Sequence, residues 1–158
     1  MELRRLGRPG DLGWVVQAHG EVYAAESGWD TTFEALVARI VADYAADHNP
    51  EREAAWIAEV DGTRAGCVFC VTADADTAKL RVLLVHPEAR GLGVGAALVA
   101  ECLRFAKAAG YRRMTLWTVA GLAAAHHIYQ RSGFVLVDEE PLRSFGADLV
   151  GQTWMLEL

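Results

Sequence analysis

The stretch from Lys79 to Gly110, KLRVLLVHPEARGLGVGAALVAECLRFAKAAG, constrains this chain more than any other. Leu80 to Val85 is a β-branched and leucine-rich run that predicts a strand, and Pro87 closes it because proline cannot donate to a sheet ladder. Arg90, Gly91, Leu92, Gly93, Val94 and Gly95 then make a loop whose glycines remove side-chain bulk from around the backbone amides. From Ala96 the pattern turns helical, with Val99, Cys102, Leu103 and Ala106 on one stripe and Gly110 as the stop. A strand, a glycine loop and a helix N-terminus in succession make a ready site for an anion.

The elements around this core follow from spacing. Leu3 to Leu6 predicts a short strand, and Asp11 offers an N-cap to a helix carrying Leu12, Val15, Val16, His19, Val22 and Tyr23 on a core-facing stripe. Gly28 interrupts it. A second helix restarts from Asp30 to Glu34, where Thr31 and Glu34 have capping-box spacing, and runs to about Ala46. Trp56–Val60 and Gly66–Val71 flank Asp61-Gly62, a two-residue hairpin signal. Thr72 to Thr77 is a polar turn into the Leu80 strand, so three consecutive strands are antiparallel. Arg113–Thr118 is a further strand whose connection through the long helix requires a parallel right-handed crossover. A helix over Leu122–Arg131, a strand Phe134–Val137, a solvated loop at Asp138-Glu139-Glu140 and a terminal strand Thr153–Leu158 complete the chain. The fold class is therefore α/β, a mixed and mostly antiparallel sheet flanked by helices, in a single domain over residues 1–158.

Composition narrows the partners. A net charge of −6 argues against a nucleic-acid or anionic-membrane binder, which would present a basic face. No apolar run approaches the ~20 residues of a membrane span, and the cytoplasm is the expected compartment. Cys67 and Cys70 form a C-x-x-C, but at i and i+3 of a strand they point to opposite faces and read as packing residues. His126 and His127 lie about 100° apart on a helix and cannot share one metal, so no metal is expected.

Glycine loops serve several ligands. The Walker pattern needs Gly-Lys-Ser/Thr, and here Gly95 is followed by Ala96-Ala97. The dinucleotide pattern G-x-G-x-x-G wants repeated βα units, whereas these glycines follow antiparallel strands. Arg-x-x-Gly-x-Gly over Arg90–Gly95, after a strand ending Val-His-Pro, instead resembles the acetyl-CoA signature of GNAT-type N-acetyltransferases, and AHHIYQRSGF over Ala125–Phe134 is similar to the late helix-to-strand motif of that family. Element order extends the resemblance over nearly the whole chain.

The resemblance implies a three-layer α-β-α fold, acetyl-CoA as cosubstrate without a metal, and a primary amine as the acceptor. Arg90 and the amides from Gly91 through Leu92, Gly93 and Val94 to Gly95, with Ala96 opening the helix, would hold the pyrophosphate. Leu83, Leu84 and Val85 would offer backbone groups to the pantetheine arm, and Ala125 would border it. The resemblance also implies that the strand splays from its neighbour at a bulge, between Leu84 and Leu116. Tyr129 would donate a proton to the departing thiolate, while Glu26, Asp30 and Glu59 are candidates for the base. Trp29, in ESGWD, either walls a substrate pocket or forms a satellite core. Leu122 stands where many family members carry Asn, which removes a side-chain contact to pantetheine. A non-catalytic acyl-CoA sensor is the alternative, and homodimerisation through an exposed Thr153–Leu158 edge is a further expectation.

Overall fold

The computed structural model describes residues 1–158. In chain order the elements are β1 (Glu2–Arg5), α1 (Asp11–Ser27), α2 (Thr31–Ala46), β2 (Ala54–Val60), β3 (Thr63–Thr72), β4 (Thr77–Val85), a 3-10 turn (Pro87–Ala89), α3 (Val94–Ala108), β5 (Arg113–Val119), α4 (Ala123–Ser132), β6 (Val135–Ser144) and β7 (Ala147–Glu157). One seven-stranded sheet has the order β1-β2-β3-β4-β5-β7-β6, antiparallel everywhere except between β4 and β5.

Two cores lie on opposite faces of the sheet. Val15 and Val22 of α1 and Val37 and Val41 of α2 pack with Ile57, Phe69 and Leu84 on one face. Leu98, Val99 and Cys102 of α3 pack with Trp56, Met114, Tyr129 and Trp154 on the other. Side chains that alternate along β2 and β3 feed both cores, which is why these strands read as continuous apolar runs. No helix is long and apolar enough to cross a membrane.

The functional geometry starts where the sheet comes apart. β4 and β5 pair only over Thr77–Lys79 with Arg113–Thr115. Past that point β4 bulges: Arg81 pairs with Phe69 and Leu84 with Cys67, leaving Val82 and Leu83 opposite the single residue Val68. Val82 has φ +46°, a left-handed conformation that is strained for a β-branched residue and costs about 1–3 kcal/mol. The Cys67 thiol, donating to the Val82 carbonyl at 3.2 Å, fastens the bulge to β3. Leu84 and Leu116 form no ladder pair, as the splay requires.

Several local expectations are corrected. Asp11 caps nothing; Gly10 precedes α1 in a left-handed conformation, and the Asp11 carboxylate instead accepts from Arg4, Arg64 and the amides of Gly7 and Arg8. α2 is capped by Asp30, which accepts from the Thr32 amide at 3.0 Å, rather than by a Thr31–Glu34 box. The late strand runs on from Val135 to Ser144, so Asp138, Glu139 and Glu140 are strand residues and not a loop. Phe145 (φ +59°) and Gly146 (φ +77°) make the tight turn that returns the chain as β7, with Ser144 paired to Ala147. That turn also relocates the free edge. β7, with Thr153–Glu157, lies inside the sheet between β5 and β6, and the outer edge beyond it is β6, carrying exposed Val135, Leu136 and Val137.

Candidate active site

Two cavities open on either side of the β4–β5 gap. The larger, about 770 Å³, is lined by Leu83, Leu84 and Val85 of β4, by Arg90, Gly91, Gly93, Val94, Gly95 and Ala96, and by Ala125 with the neighbouring turn of α4. Leu92 faces solvent at 58% exposure and does not reach it. The helix that closes this cavity has no side-chain cap, because Gly93 stands at its N-cap position. The amides of Gly91 to Ala96 donate to no backbone carbonyl, and the first helical hydrogen bond runs from Ala97 to Gly93 at 3.1 Å. Of these residues Gly91 and Gly93 to Ala96 line the cavity, so their free amides and the positive end of α3 lie at its wall. Gly91 and Gly93 have φ +79° and +78°, and a Cβ at either would meet nothing within 4 Å, so backbone conformation selects glycine there. Gly95 serves packing instead: a Cβ would stand 2.6 Å from Ile128 Cδ1 and 3.3 Å from Val85 Cγ2.

The smaller cavity, about 210 Å³, lies on the α1–α2 side. Its walls include Tyr23 of α1, Trp29, Phe33 of α2, Phe145 from the β6–β7 turn, Lys79 and Arg81 of β4, and Tyr129. The aromatic wall is closely built, with Trp29 centred 4.8 Å from Tyr23, 4.7 Å from Phe33 and 4.8 Å from Phe145. Trp29 is thus both a pocket wall and the centre of a satellite core. The turn is tied to this wall by the Asp30 amide donating to the Phe145 carbonyl at 3.1 Å.

Tyr23, Leu83 and Leu122 line both cavities, so the two meet at the gap. Tyr129 is held there by Phe134 and Trp154, and burial raises its pKa, with Tyr23 among the further contributors. Burial raises the pKa of Tyr23 as well. Both phenols are therefore neutral at pH 7 and carry a proton to give. His19, beneath Tyr23 and Phe33, donates from Nδ1 to the Val15 carbonyl at 2.7 Å, which leaves Nε2 as an acceptor that is buried and unpaired. Burial lowers its pKa to about 4, so it is neutral.

The candidate bases are distributed differently. Glu26 lines the larger cavity, not the smaller, and is held in a two-pronged ion pair with Arg90 at 2.7 and 2.8 Å. That hydrogen bonding lowers its pKa. Glu59 lines neither cavity; it sits on β2 and accepts from Arg4 at 2.8 Å. Asp30 is occupied as the cap of α2. Thus the carboxylates expected from sequence do not converge on the gap. Tyr23, His19, Lys79 and Arg81, which do line the smaller cavity, have no motif of their own: on α1 and β4 they sit in ordinary helix and strand periodicity.

Comparison with known proteins agrees with this geometry. An uncharacterised N-acetyltransferase of Schizosaccharomyces pombe is 31% identical over 114 residues, 71% of this chain and 69% of that one. An uncharacterised N-acetyltransferase of Methanocaldococcus jannaschii is 31% identical over 85 residues; the match takes in 50% of this chain but 38% of that protein's length. A Salmonella typhimurium protein solved with its cofactor acetyl-CoA superimposes with a TM-score of 0.79 at 17% identity, over 100% of this chain and 94% of that one, a likeness of fold. The family model for the acetyltransferase (GNAT) family matches residues 14–134, from α1 through the glycine loop and the gap to the end of α4, and the chain belongs to that family.

Proposed function

We propose that this chain transfers an acetyl group from acetyl-CoA to a primary amine of a small acceptor, by direct attack within a ternary complex. The observation that carries the reading is the meeting of two cavities at one gap in the sheet, with Tyr23, Leu83 and Leu122 common to both and the Tyr129 ring beside them.

Acetyl-CoA supplies an activated acyl thioester. The uncapped amides of Gly91 to Ala96 and the N-terminus of α3 suit its pyrophosphate, and the glycines at 91 and 93 leave those amides accessible. The edge of β4 released by the bulge, at Leu83 to Val85, offers unpaired backbone groups to an amide-bearing arm. An amide near Val85 polarises the thioester carbonyl; as the neutral amine attacks, the carbon–nitrogen bond forms and the carbon–sulfur bond breaks, Tyr129 gives its proton to sulfur, and the proton shed by the amine nitrogen passes to solvent water, from which Tyr129 is reprotonated. All three cysteines, Cys67, Cys70 and Cys102, are sealed in the cores, and burial raises the pKa of Cys67 and Cys102, which favours direct attack over an acyl-enzyme.

Tyr129→Phe tests the assignment. It keeps the packing against Phe134 and Trp154 but removes the proton donor, so thiol release at saturating acceptor should fall by about 10²-fold or more while the Kd for acetyl-CoA stays within about twofold. Unchanged turnover would remove Tyr129 from the chemistry. Tight acetyl-CoA binding with no turnover across a broad amine panel would establish a sensor in place of an enzyme.

A further inference from the structure

The smaller cavity holds two cations with no partner. Lys79 and Arg81, two residues apart on β4, project to the same face, which is the face that carries α2. Both are half-buried, and neither takes part in an ion pair or a side-chain hydrogen bond. No Asp or Glu lines the cavity; the nearest acidic influence on Arg81 is Asp43 of α2, which forms no ion pair with it. The remaining polar groups of the wall are the neutral His19 imidazole, the phenols of Tyr23 and Tyr129, Thr118 and the Trp117 indole. Two guanidinium- and ammonium-bearing side chains taken partly out of water without a counter-ion are costly unless a ligand supplies the charge.

Size and surface add to this. At about 210 Å³ the cavity is below the usual range for drug-sized ligands and suits one small molecule. Its remaining wall, Trp29, Phe33, Phe145, Leu36 and Ile40, is apolar. A polyamine or a lysine-rich peptide would bring positive charge against Lys79 and Arg81 with no carboxylate to receive it.

Resting on the proposed acetyl transfer at the gap, we infer that the acceptor is a free amino acid with an apolar or aromatic side chain: its amine lies at the gap beside Tyr129, its carboxylate on Lys79 and Arg81, and its side chain against the aromatic wall. The anion neutralises the two cations and is held by charge-assisted hydrogen bonds, which are roughly twice as strong as neutral ones. Lys79 and Arg81 are specificity residues in this scheme and take no part in the bond-making step.

The test uses acceptors that differ only in the anion: leucine against leucinamide, and phenylalanine against phenethylamine, with spermidine as a cationic control, each assayed by thiol release from acetyl-CoA. The carboxylate-bearing member of each pair should have the higher kcat/KM by about ten- to a hundredfold. Lys79→Gln and Arg81→Gln should each raise the KM for leucine or phenylalanine by a similar factor, with the KM for acetyl-CoA, the kcat and the melting temperature nearly unchanged. Equal or better use of leucinamide, phenethylamine or spermidine overturns the inference, as does insensitivity to both substitutions in folded protein, or acetyl-CoA binding without turnover of any panel member. Failure of the underlying transfer reading looks different: acetyl-CoA then fails to bind, or binds with no turnover of any amine in a broader panel, carboxylate-bearing or not.

Discussion

Replacing Glu26 by Gln separates two roles that the sequence leaves open. As a general base, Glu26 would accept the ammonium proton, and its loss would lower kcat by about 10²–10⁴-fold. The structure gives it another role: its carboxylate clasps Arg90 at 2.7 and 2.8 Å across the mouth of the larger cavity. Both side chains are 44% exposed, so the pair contributes only about 0.2–1 kcal/mol, with its two-pronged geometry favouring the upper end. In E26Q the guanidinium is released to face an incoming pyrophosphate, and a carboxylate that repels that anion is gone. About 1 kcal/mol corresponds to about fivefold, so the Kd for acetyl-CoA should tighten by two- to fivefold. The gain should shrink at high ionic strength, where exposed charges are screened. Isothermal titration of wild type and E26Q with acetyl-CoA at low and high salt, together with kcat at saturating acceptor, measures both roles at once. Unchanged acetyl-CoA affinity with a kcat lowered by two orders of magnitude would refute the clasp and restore Glu26 as the base.

Other consequences concern stability and the remaining candidates. Asp11→Asn should destabilise by about 3 kcal/mol in denaturant titration, the low end for breaking a buried pair because Arg64 is partly exposed. The folded-state pKa of Asp11 is depressed by Arg4, so its contribution is complete above the unfolded value of about 3.9 and is lost as pH falls through the lower folded value. The gap between wild type and D11N should therefore be flat from pH 7 to pH 5 and close only in strong acid. Glu59→Gln should leave kcat within about twofold, since the residue faces Arg4 and neither cavity; a loss of 10²-fold would place it back in the chemistry. Gly66→Ala should cost about 1–3 kcal/mol, because its Cβ would stand 2.8 Å from the Leu84 carbonyl and 3.1 Å from Leu98 and Val94, none of which has free space to move into.

What the sequence disclosed and what it hid follow from range. The strand, glycine loop and helix of Lys79–Gly110 are encoded by contiguous residues, and so their order and their shared cavity could be read in advance. The bulge is implied by the family resemblance but not by its own residues: Val82 at φ +46° contradicts the preference of a β-branched residue and is imposed by β3 and the core behind it. The β6–β7 turn was hidden because Phe145 occupies a left-handed position where Asn or Gly is the usual signal, its ring held by Trp29 and Phe33 more than a hundred residues away in sequence. The same turn makes β6, not β7, the sheet's free edge. The smaller cavity draws on α1, α2, β4, β5, α4 and the β6–β7 turn, and its lining residues each obey local periodicity. Glu59 looked costly in a central strand for the right reason, but the partner that offsets the cost is Arg4 on the neighbouring strand, not a substrate.

In the proposed function the larger cavity, closed by the uncapped N-terminus of α3, is the acetyl-CoA site. Equilibrium titration with acetyl-CoA, followed by calorimetry and by the melting temperature, tests it most directly. Saturable binding at one site, a melting temperature that rises with ligand concentration as linkage requires, and competition by CoA are expected. Absence of saturation and of any thermal shift at millimolar acetyl-CoA, with NAD stabilising the protein in its place, would contradict it.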